Sequence, residues 1–295
     1  MTTSGFQRGK RVFILFSTLI LLLSLDAPGA LKGYLFIIGG GDWPEAMTRR
    51  YVELARKFRS GKILILPMAS SVPVESAQEE AAEFKKLGAA DVEYKILTRE
   101  EALKEESARI LDNVGGVFFS GGVQQRLMDV LLDTPIHRKL LELYEEGCVI
   151  GGTSAGAAVM SRVMITGDER RKVEEGHDFE TLQAGNIVTT PGFGFIKAAI
   201  IDQHFATRKR HNRLISLLAE NPRLLGIGID ESTAILVNPL GTFEVIGQKN
   251  VIVYDASKAK VKILPDQSIS LEGLVMHLLL PGQRFSLFTR KVLGQ

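Results

Sequence analysis

A serine surrounded by small residues is the first group in this chain that could do chemistry. The segment VIGGTSAGAAVM at 149–160 contains the pattern GxSxG, with Ser154 between Gly152 and Gly156. A buried strand that ends in glycines and continues into an Ala-rich helix is typical of a nucleophile elbow, where the sharp turn excludes large side chains. The pattern predicts a nucleophilic Ser154 and hence a serine hydrolase. A Gly-rich turn with an incidental N-cap serine is the alternative.

The helix after Ser154 would also help to stabilise a negative oxygen. Its first residue is Ala155, and the backbone N–H groups at a helix N-terminus have no partner within the helix. Such groups attract anions. We therefore expect the N–H of Ala155 to contribute to an oxyanion hole.

A nucleophilic serine needs a base, and histidine suits this role because its pKa lies near neutrality. The chain has five histidines. His204 follows the apolar run AAII and the polar pair Asp202–Gln203, so it would stand at the end of a strand. The other four lie in charged helices, an acidic loop or an apolar strand: His137, His177, His211 and His277. Position favours His204 as the general base.

The histidine needs a carboxylate that holds its tautomer and stabilises the imidazolium. Glu231, in the segment GIGIDESTA at 226–234, follows an apolar run and precedes another. We favour Glu231, while Asp230 and Asp202 remain alternatives from the residues alone.

Strands and helices alternate through the first half of the chain. Short apolar runs at Tyr34–Ile38, Ile63–Leu66, Val117–Phe119 and Cys148–Ile150 each lead into a loop rich in Gly or Ser. Helical spacing of apolar residues follows at 44–58, 76–87 and 124–132. This order predicts an α/β fold with a mainly parallel sheet and helices on both faces, with the loops at the carboxyl edge where sites form.

The last third of the chain has a different pattern. After about residue 230, short β-branched runs alternate with turn residues, as at Ala234–Val237, Phe243–Ile246, Val251–Tyr254, Val261–Leu264 and Val275–Leu280. They predict a β-rich C-terminal part made of antiparallel hairpins. Without a linker or a repeat between the two parts, we expect one domain at 31–295.

The N-terminus has the order of a secretory signal. Arg8, Lys10 and Arg11 precede the apolar run Val12–Leu25, and small residues follow up to Ala30. The run of about 14 residues is short for a bilayer span, which needs about 20. We predict a signal peptide at 1–30 and an exported protein with no stable membrane association after cleavage. A retained anchor is the alternative.

Composition limits the other partners. The whole chain is 45% hydrophobic and 24% charged, with a net charge of +2. Loss of residues 1–30 removes three basic residues and Asp26, so the mature chain is about neutral and offers no electrostatic surface for nucleic acid. The scattered histidines and the single Cys148 match no metal-binding spacing. We expect no metal and no cofactor, while both a monomer and a homodimer stay open.

Five segments in the same order resemble the cyanophycinases. They are GGGD at 39–42, FSGGVQQRL at 119–127, GGTSAGAAVMS at 151–161, PGFGFIKAAIIDQHFATRKRHNRL at 191–214 and GIGIDESTA at 226–234. Cyanophycinases belong to a group of serine peptidases that also contains aspartyl dipeptidase. The resemblance, which runs from about residue 34 to the C-terminus, implies a class I glutamine amidotransferase-like, flavodoxin-like sheet.

The resemblance also implies roles for individual residues. Ser154 matches the nucleophile, His204 the base and Glu231 the orienting acid, while the backbone N–H groups of Gly122 and Ala155 match the oxyanion hole. The expected substrate is cyanophycin, a polyaspartate with arginine on each β-carboxyl, cut through an acyl-enzyme to β-Asp-Arg dipeptides. The implied substrate-binding residues are Gln124, Asp202, Gln203, Arg208, Arg210 and Arg213.

These polar residues suit a substrate that carries both carboxylates and guanidiniums. Arginine forks bind carboxylates at two points, which lysine cannot do. A solvated charge run at Arg208–Arg210 is the alternative. Val123 departs from the resemblance, because an Asp or Asn usually stands there, and it removes a polar side chain near the oxyanion loop. An exopeptidase for Asp-containing or isoaspartyl dipeptides and a noncatalytic binding protein on the same fold are the other two hypotheses.

Overall fold

The computed structural model describes Met1 and residues 33–171 and 179–294. The predicted signal peptide lies outside the described residues apart from Met1. Within the described part, seven helices accompany a 3₁₀ helix at Glu105–Leu111. The helices are α1 (Glu45–Ala55), α2 (Pro73–Lys86), α3 (Arg99–Ala102), α4 (Gln124–Leu131), α5 (Pro135–Glu146), α6 (Ala155–Ala158) and α7 (His211–Glu220).

The described strands number seventeen. They are β1 (Tyr34–Ile38), β2 (Lys62–Leu66), β3 (Val92–Tyr94), β4 (Val114–Phe119), β5 (Val149–Thr153), β6 (Val163–Glu169), β7 (Ile187–Pro191), β8 (Ala199–Gln203), β9 (Leu225–Ile229), β10 (Thr233–Val237), β11 (Thr242–Gly247), β12 (Val251–Asp255), β13 (Lys260–Ile263), β14 (Ile269–Glu272), β15 (Val275–Leu279), β16 (Arg284–Ser286) and β17 (Lys291–Leu293).

A nine-stranded sheet forms the centre of the fold, in the order β17-β16-β11-β10-β1-β5-β4-β2-β3. The neighbouring strands β1, β5, β4, β2 and β3 are parallel to one another. The strands β10, β11, β16 and β17 extend the sheet through antiparallel pairs. The predicted α/β fold with a mainly parallel sheet and a β-rich C-terminal part is confirmed.

Helices cover both faces of the parallel strands, as the strand pattern requires. Alternate residues of β1 point to opposite faces: Leu35 and Ile37 join one buried cluster with α4 and α5, while Phe36 and Ile38 join another with α1 and α2. Burial on both faces explains why these strands are apolar runs without polar alternation. The sheet is therefore a rigid support for the loops at its carboxyl edge.

The strand before His204 belongs to a second sheet. The strand that leads to His204, β8, is not part of the central sheet; it pairs parallel with β9 in a separate four-stranded sheet of order β15-β12-β9-β8. The two sheets meet at the site, because the backbone N–H of His204 donates to the carbonyl of Gly39 at 2.8 Å, just after β1. The order of polar residues along the chain does not reveal this second sheet.

None of the helices in the described ranges is both long enough and apolar enough to cross a membrane.

Candidate active site

Ser154 stands on a strained turn between β5 and α6. Its backbone has φ 51° and ψ −108°, a conformation that a non-glycine residue rarely adopts. A Cβ on Gly152 would lie 2.4 Å from the carbonyl oxygen of Gly156, and a Cβ on Gly156 would lie 2.1 Å from that of Phe119. The glycines of GxSxG are therefore required by close backbone contacts on both sides of the serine.

The hydroxyl of Ser154 meets the imidazole of His204, which in turn meets Glu231. The distance from Ser154 Oγ to His204 Nε2 is 2.8 Å, and that from His204 Nδ1 to Glu231 Oε1 is 2.7 Å. Three segments separated by 50 and 27 residues thus form one line of hydrogen bonds. The alternative of an incidental N-cap serine has no support, since Ser154 makes no side-chain cap bond to the helix.

The structure separates the two adjacent acids. Asp230 accepts hydrogen bonds from the backbone N–H and the hydroxyl of Thr207, at 3.0 and 2.7 Å, and does not contact His204. These bonds outweigh the effect of burial and hold the pKa of Asp230 below its usual value. Glu231 is the acid within reach of the imidazole, so geometry singles it out where the residues alone left both open.

A glycine-rich loop makes room for the imidazole. Gly40 has φ 103°, and a Cβ there would lie 2.3 Å from His204 Cε1. The carbonyl of Gly40 accepts from the N–H of Ser232, the residue after Glu231, at 2.8 Å. The GGGD loop at 39–42 therefore packs against both the histidine and the segment that carries its acid, a role that its sequence alone did not indicate.

His204 is electrostatically suited to act as a base near neutral pH. Burial lowers its pKa below the usual 6.5, the hydrogen bond from Nδ1 to Glu231 raises it, and the charges of Arg208 and Arg210 lower it further. The net effect favours the neutral imidazole, which can accept a proton.

Comparison with known proteins places the chain in a family. The family model of Peptidase family S51 matches residues 35–243. The chain belongs to peptidase family S51. It is therefore a serine-type peptidase.

Curated relatives of this S51 peptidase are cyanophycinases. The chain is 34% identical over 283 residues to the cyanophycinase of Trichormus variabilis (strain ATCC 29413 / PCC 7937), a match that covers 92% of this chain and 91% of that protein. It is 33% identical over 232 residues to the cyanophycinase of Geminocystis herdmanii (strain PCC 6308), covering 76% and 82%. The crystal structure of a peptidase from an acI-B1 Actinobacterium has a TM-score of 0.64 at 24% identity, covering 88% of this chain and 98% of that one, which supports the fold.

The loop after β4 lies against the serine. A Cβ on Gly121 would lie 3.6 Å from Cβ of Ser154, and Gly122 has φ 134°. A Cβ on Gly122 would lie 2.1 Å from the carbonyl oxygen of Ala69, so this position tolerates glycine only. Ala155 begins α6, where the backbone N–H has no partner inside the helix. Both predicted oxyanion-hole residues thus lie in segments next to Ser154, while their role remains a prediction.

Two of the predicted substrate-binding residues are in the protein interior. Asp202 is 0% exposed and Arg213 is 1% exposed. Arg213 donates from Nε to Asp202 Oδ2 at 2.7 Å and from a terminal nitrogen to Oδ1. The guanidinium also lies 4.8 Å from the ring centroid of Phe179. Asp202 and Arg213 thus bind each other, and their contact with substrate remains a prediction.

The other four predicted substrate-binding residues differ in how far their side chains are free to contact a substrate. Gln124 donates both side-chain amide hydrogen bonds to backbone carbonyls in β6, at 2.8 and 2.7 Å. Gln203 is buried, and its backbone carbonyl accepts a hydrogen bond from the guanidinium of Arg210. Burial lowers the pKa of Arg210 to about 10. Arg208 is exposed. Contact of these side chains with substrate remains a prediction, and Arg208 is the one that solvent reaches freely.

The cleft beside Ser154 and His204 is acidic, a feature that our sequence reasoning missed. It has a volume of about 630 Å³, and the carboxylates of Asp42, Glu79, Glu80 and Glu83 line it. We call these four residues the acidic wall. Three of them lie on α2, where Glu79 and Glu83 are one turn apart and so share a face. That spacing was the available signal, but only the packing of α2 shows which face meets the cleft.

Within the described ranges, no group of three or more His, Cys, Asp or Glu side chains is arranged to hold a metal ion.

Proposed function

We propose that this S51 peptidase hydrolyses cyanophycin to β-Asp-Arg dipeptides through a Ser154–His204–Glu231 triad. The observation that carries the proposal is the continuous line of hydrogen bonds at 2.8 and 2.7 Å. The S51 relatives named cyanophycinase, which match most of the chain, support the substrate.

The geometry supports a two-step acyl transfer. His204 Nε2 takes the proton of Ser154 Oγ as the oxygen attacks the scissile carbonyl carbon, and Glu231 stabilises the imidazolium. His204 then gives this proton to the leaving amine, so the C–N bond breaks and an acyl-enzyme remains. Water, deprotonated by His204, hydrolyses the ester and restores the Ser154 hydroxyl. Backbone N–H groups of Gly122 and Ala155 would stabilise the oxyanion, each contributing about 3 kcal/mol.

The charges of the site suit a substrate that bears guanidinium groups. The acidic wall lines the cleft that holds Ser154, so an arginine side chain beside the scissile bond would find carboxylate partners. Arg208 would contact carboxylates of the polymer, a role that the resemblance implies. A small isoaspartyl dipeptide would not need so many acidic partners, and for this reason we favour the polymer over dipeptides as substrate.

Incubation with insoluble cyanophycin tests the proposal. We expect soluble β-Asp-Arg, identified by mass, and a rate lower by at least about 10⁴-fold in Ser154→Ala. Ser76→Ala is the matched control, because it removes another hydroxyl from the same cleft. Equal rates in wild type and Ser154→Ala would reject the nucleophile. Release of products only from isoaspartyl dipeptides would reject the polymer as substrate.

We also propose that the protein is exported. The support is the order of basic, apolar and small residues at 8–30. Expression of the full chain in a bacterial host, followed by fractionation and N-terminal sequencing, tests this: we expect a chain that begins near residue 31 outside the cytoplasm. Recovery of the uncleaved chain in the cytoplasm would contradict export, and recovery in the membrane would favour the anchor.

A further inference from the structure

One contact joins the acidic wall to the loop beside the nucleophile. The hydroxyl of Ser120 donates to Glu80 Oε2 at 2.6 Å, across 40 residues of sequence. Ser120 is 1% exposed, while Glu80 is half-buried and lines the cleft with Ser154. A short bond to a carboxylate from a buried hydroxyl is stronger than one between neutral groups.

Ser120 begins the loop that lies against Ser154. A Cβ on the next residue, Gly121, would lie 3.6 Å from Cβ of Ser154, and Gly122 follows with φ 134°. The far end of the loop is held by Val123, whose N–H donates to the carbonyl of Ala69 at 2.9 Å. The loop is therefore fixed at two points: at Val123 by the backbone and at Ser120 by Glu80.

Two-point fixation matters because an oxyanion hole works by preorganisation. A donor stabilises the transition state when it already points to the position of the developing charge, and small displacements cost rate. Strand β4 holds the chain as far as Phe119, which pairs with Leu66 and Gly152. The bond from Ser120 to α2 holds the first residue after the strand, where the loop to Gly122 begins.

We infer that Glu80 is a positioning residue for the peptidase reaction: it holds Ser120 and thereby the backbone of Gly121 and Gly122 beside Ser154. The inference rests on the proposed function, since it assigns the loop to the oxyanion hole. Glu80 thus affects the rate through the loop. This effect is separate from any attraction between the acidic wall and the guanidinium groups of the substrate.

Variants that break the Glu80–Ser120 bond test the inference. We expect Ser120→Ala and Glu80→Leu each to lower kcat about tenfold, because the loop acts on the transition state. In Ser120→Ala, which leaves the acidic wall intact, KM should change less than about twofold. The double variant should lose about tenfold in total, since both changes break the same bond. Ser120→Thr and Glu80→Gln, which keep the hydroxyl and an acceptor oxygen, should restore most of kcat.

Glu79→Leu is the matched control, because it removes the same charge from the neighbouring position of α2 in the same cleft. We expect it to change KM more than kcat. Unchanged kcat in both Ser120→Ala and Glu80→Leu would overturn the inference. So would an equal loss of kcat in Glu79→Leu, or multiplied losses in the double variant. Thermal melting of each variant identifies any that fail to fold.

A second readout does not depend on the natural substrate. A fluorophosphonate probe phosphonylates a nucleophilic serine: the Ser154 proton passes to His204, the O–P bond forms and fluoride leaves. The polarised P=O oxygen then occupies the oxyanion hole. We expect labelling of Ser154 to slow about tenfold in Ser120→Ala and Glu80→Leu but not in Ser120→Thr. If the protein does not cleave cyanophycin but shows this pattern, the proposed substrate fails and the positioning role stands. Equal labelling rates in all variants would overturn the positioning role itself.

Discussion

The acidic wall and the arginines after His204 are two charged regions near the catalytic residues, and they differ in burial and pairing. The carboxylates of α2 line an open cleft. Of the three arginines, Arg213 is fully buried against Asp202, Arg210 bonds to the backbone of Gln203, and Arg208 is exposed. A run of charges in a sequence therefore does not show which charges meet a ligand. Burial and pairing decide that.

The largest effect should come from the buried pair. Asp202→Asn leaves the charge of Arg213 in the interior without its carboxylate, which typically lowers the free energy of unfolding by about 3–5 kcal/mol. Denaturant unfolding measures it, with Glu83→Gln as the control, which should change stability by less than about 0.5 kcal/mol. An Asp202→Asn protein as stable as wild type would show that the two regions do not differ in this way.

Glu80 should make stability depend on pH. Burial raises its pKa from 4.5 to about 7, with Glu79 adding to the effect and the bond from Ser120 opposing it. The unfolded chain releases this proton before the folded one does, so stability falls as pH rises from 4.5 to 7. Glu80→Gln removes this loss. We expect it to raise Tm more at pH 8 than at pH 4.5; an equal change at both would contradict the buried carboxyl.

The exposed part of the acidic wall should act on substrate binding. Replacing Glu79 and Glu83 together with Gln should raise KM for cyanophycin about fivefold and weaken its dependence on salt, since screened surface charges attract the guanidinium groups of the substrate modestly. Glu75→Gln, on the exposed surface of α2 away from the cleft, is the control. No change in KM would mean that the guanidinium groups bind elsewhere.

The smallest effect tests the arginine that solvent reaches. Arg208 lowers the pKa of His204, so Arg208→Gln should raise that pKa. The acid limb of kcat/KM, where His204 becomes protonated, should then move to higher pH. Lys209→Gln is the neighbouring control and should leave the limb in place. A shift to lower pH would contradict the sign of this electrostatic effect.

The local parts of the fold were predictable from the sequence. Apolar strands with glycine loops and helical spacing after them predicted β1, β2, β4 and β5 and the helices α1, α2 and α4 to within a few residues. The turn residues of the last third predicted the hairpin of β10 and β11. These features depend on neighbours along the chain, and local sequence carries that information.

The elbow and the histidine were predictable for the same reason, whereas their partners were less so. Ser154 stands in a pattern of glycines that serves one tight turn, and His204 ends an apolar strand. Glu231 and Asp230 are chemically alike and adjacent, so residues alone could not separate them. The direction of each side chain depends on the backbone after β9, which places Glu231 on His204 and Asp230 on Thr207.

The sequence by itself determined the strands, the strained serine turn and the kinds of groups that could form a catalytic line, because these follow from local sterics and hydrophobic periodicity. Tertiary structure alone decided that β8 belongs to a second sheet, that Asp202 and Arg213 bury each other, and that α2 turns its carboxylates toward Ser154. Each of these depends on contacts between distant segments, and such contacts are set by how the elements pack.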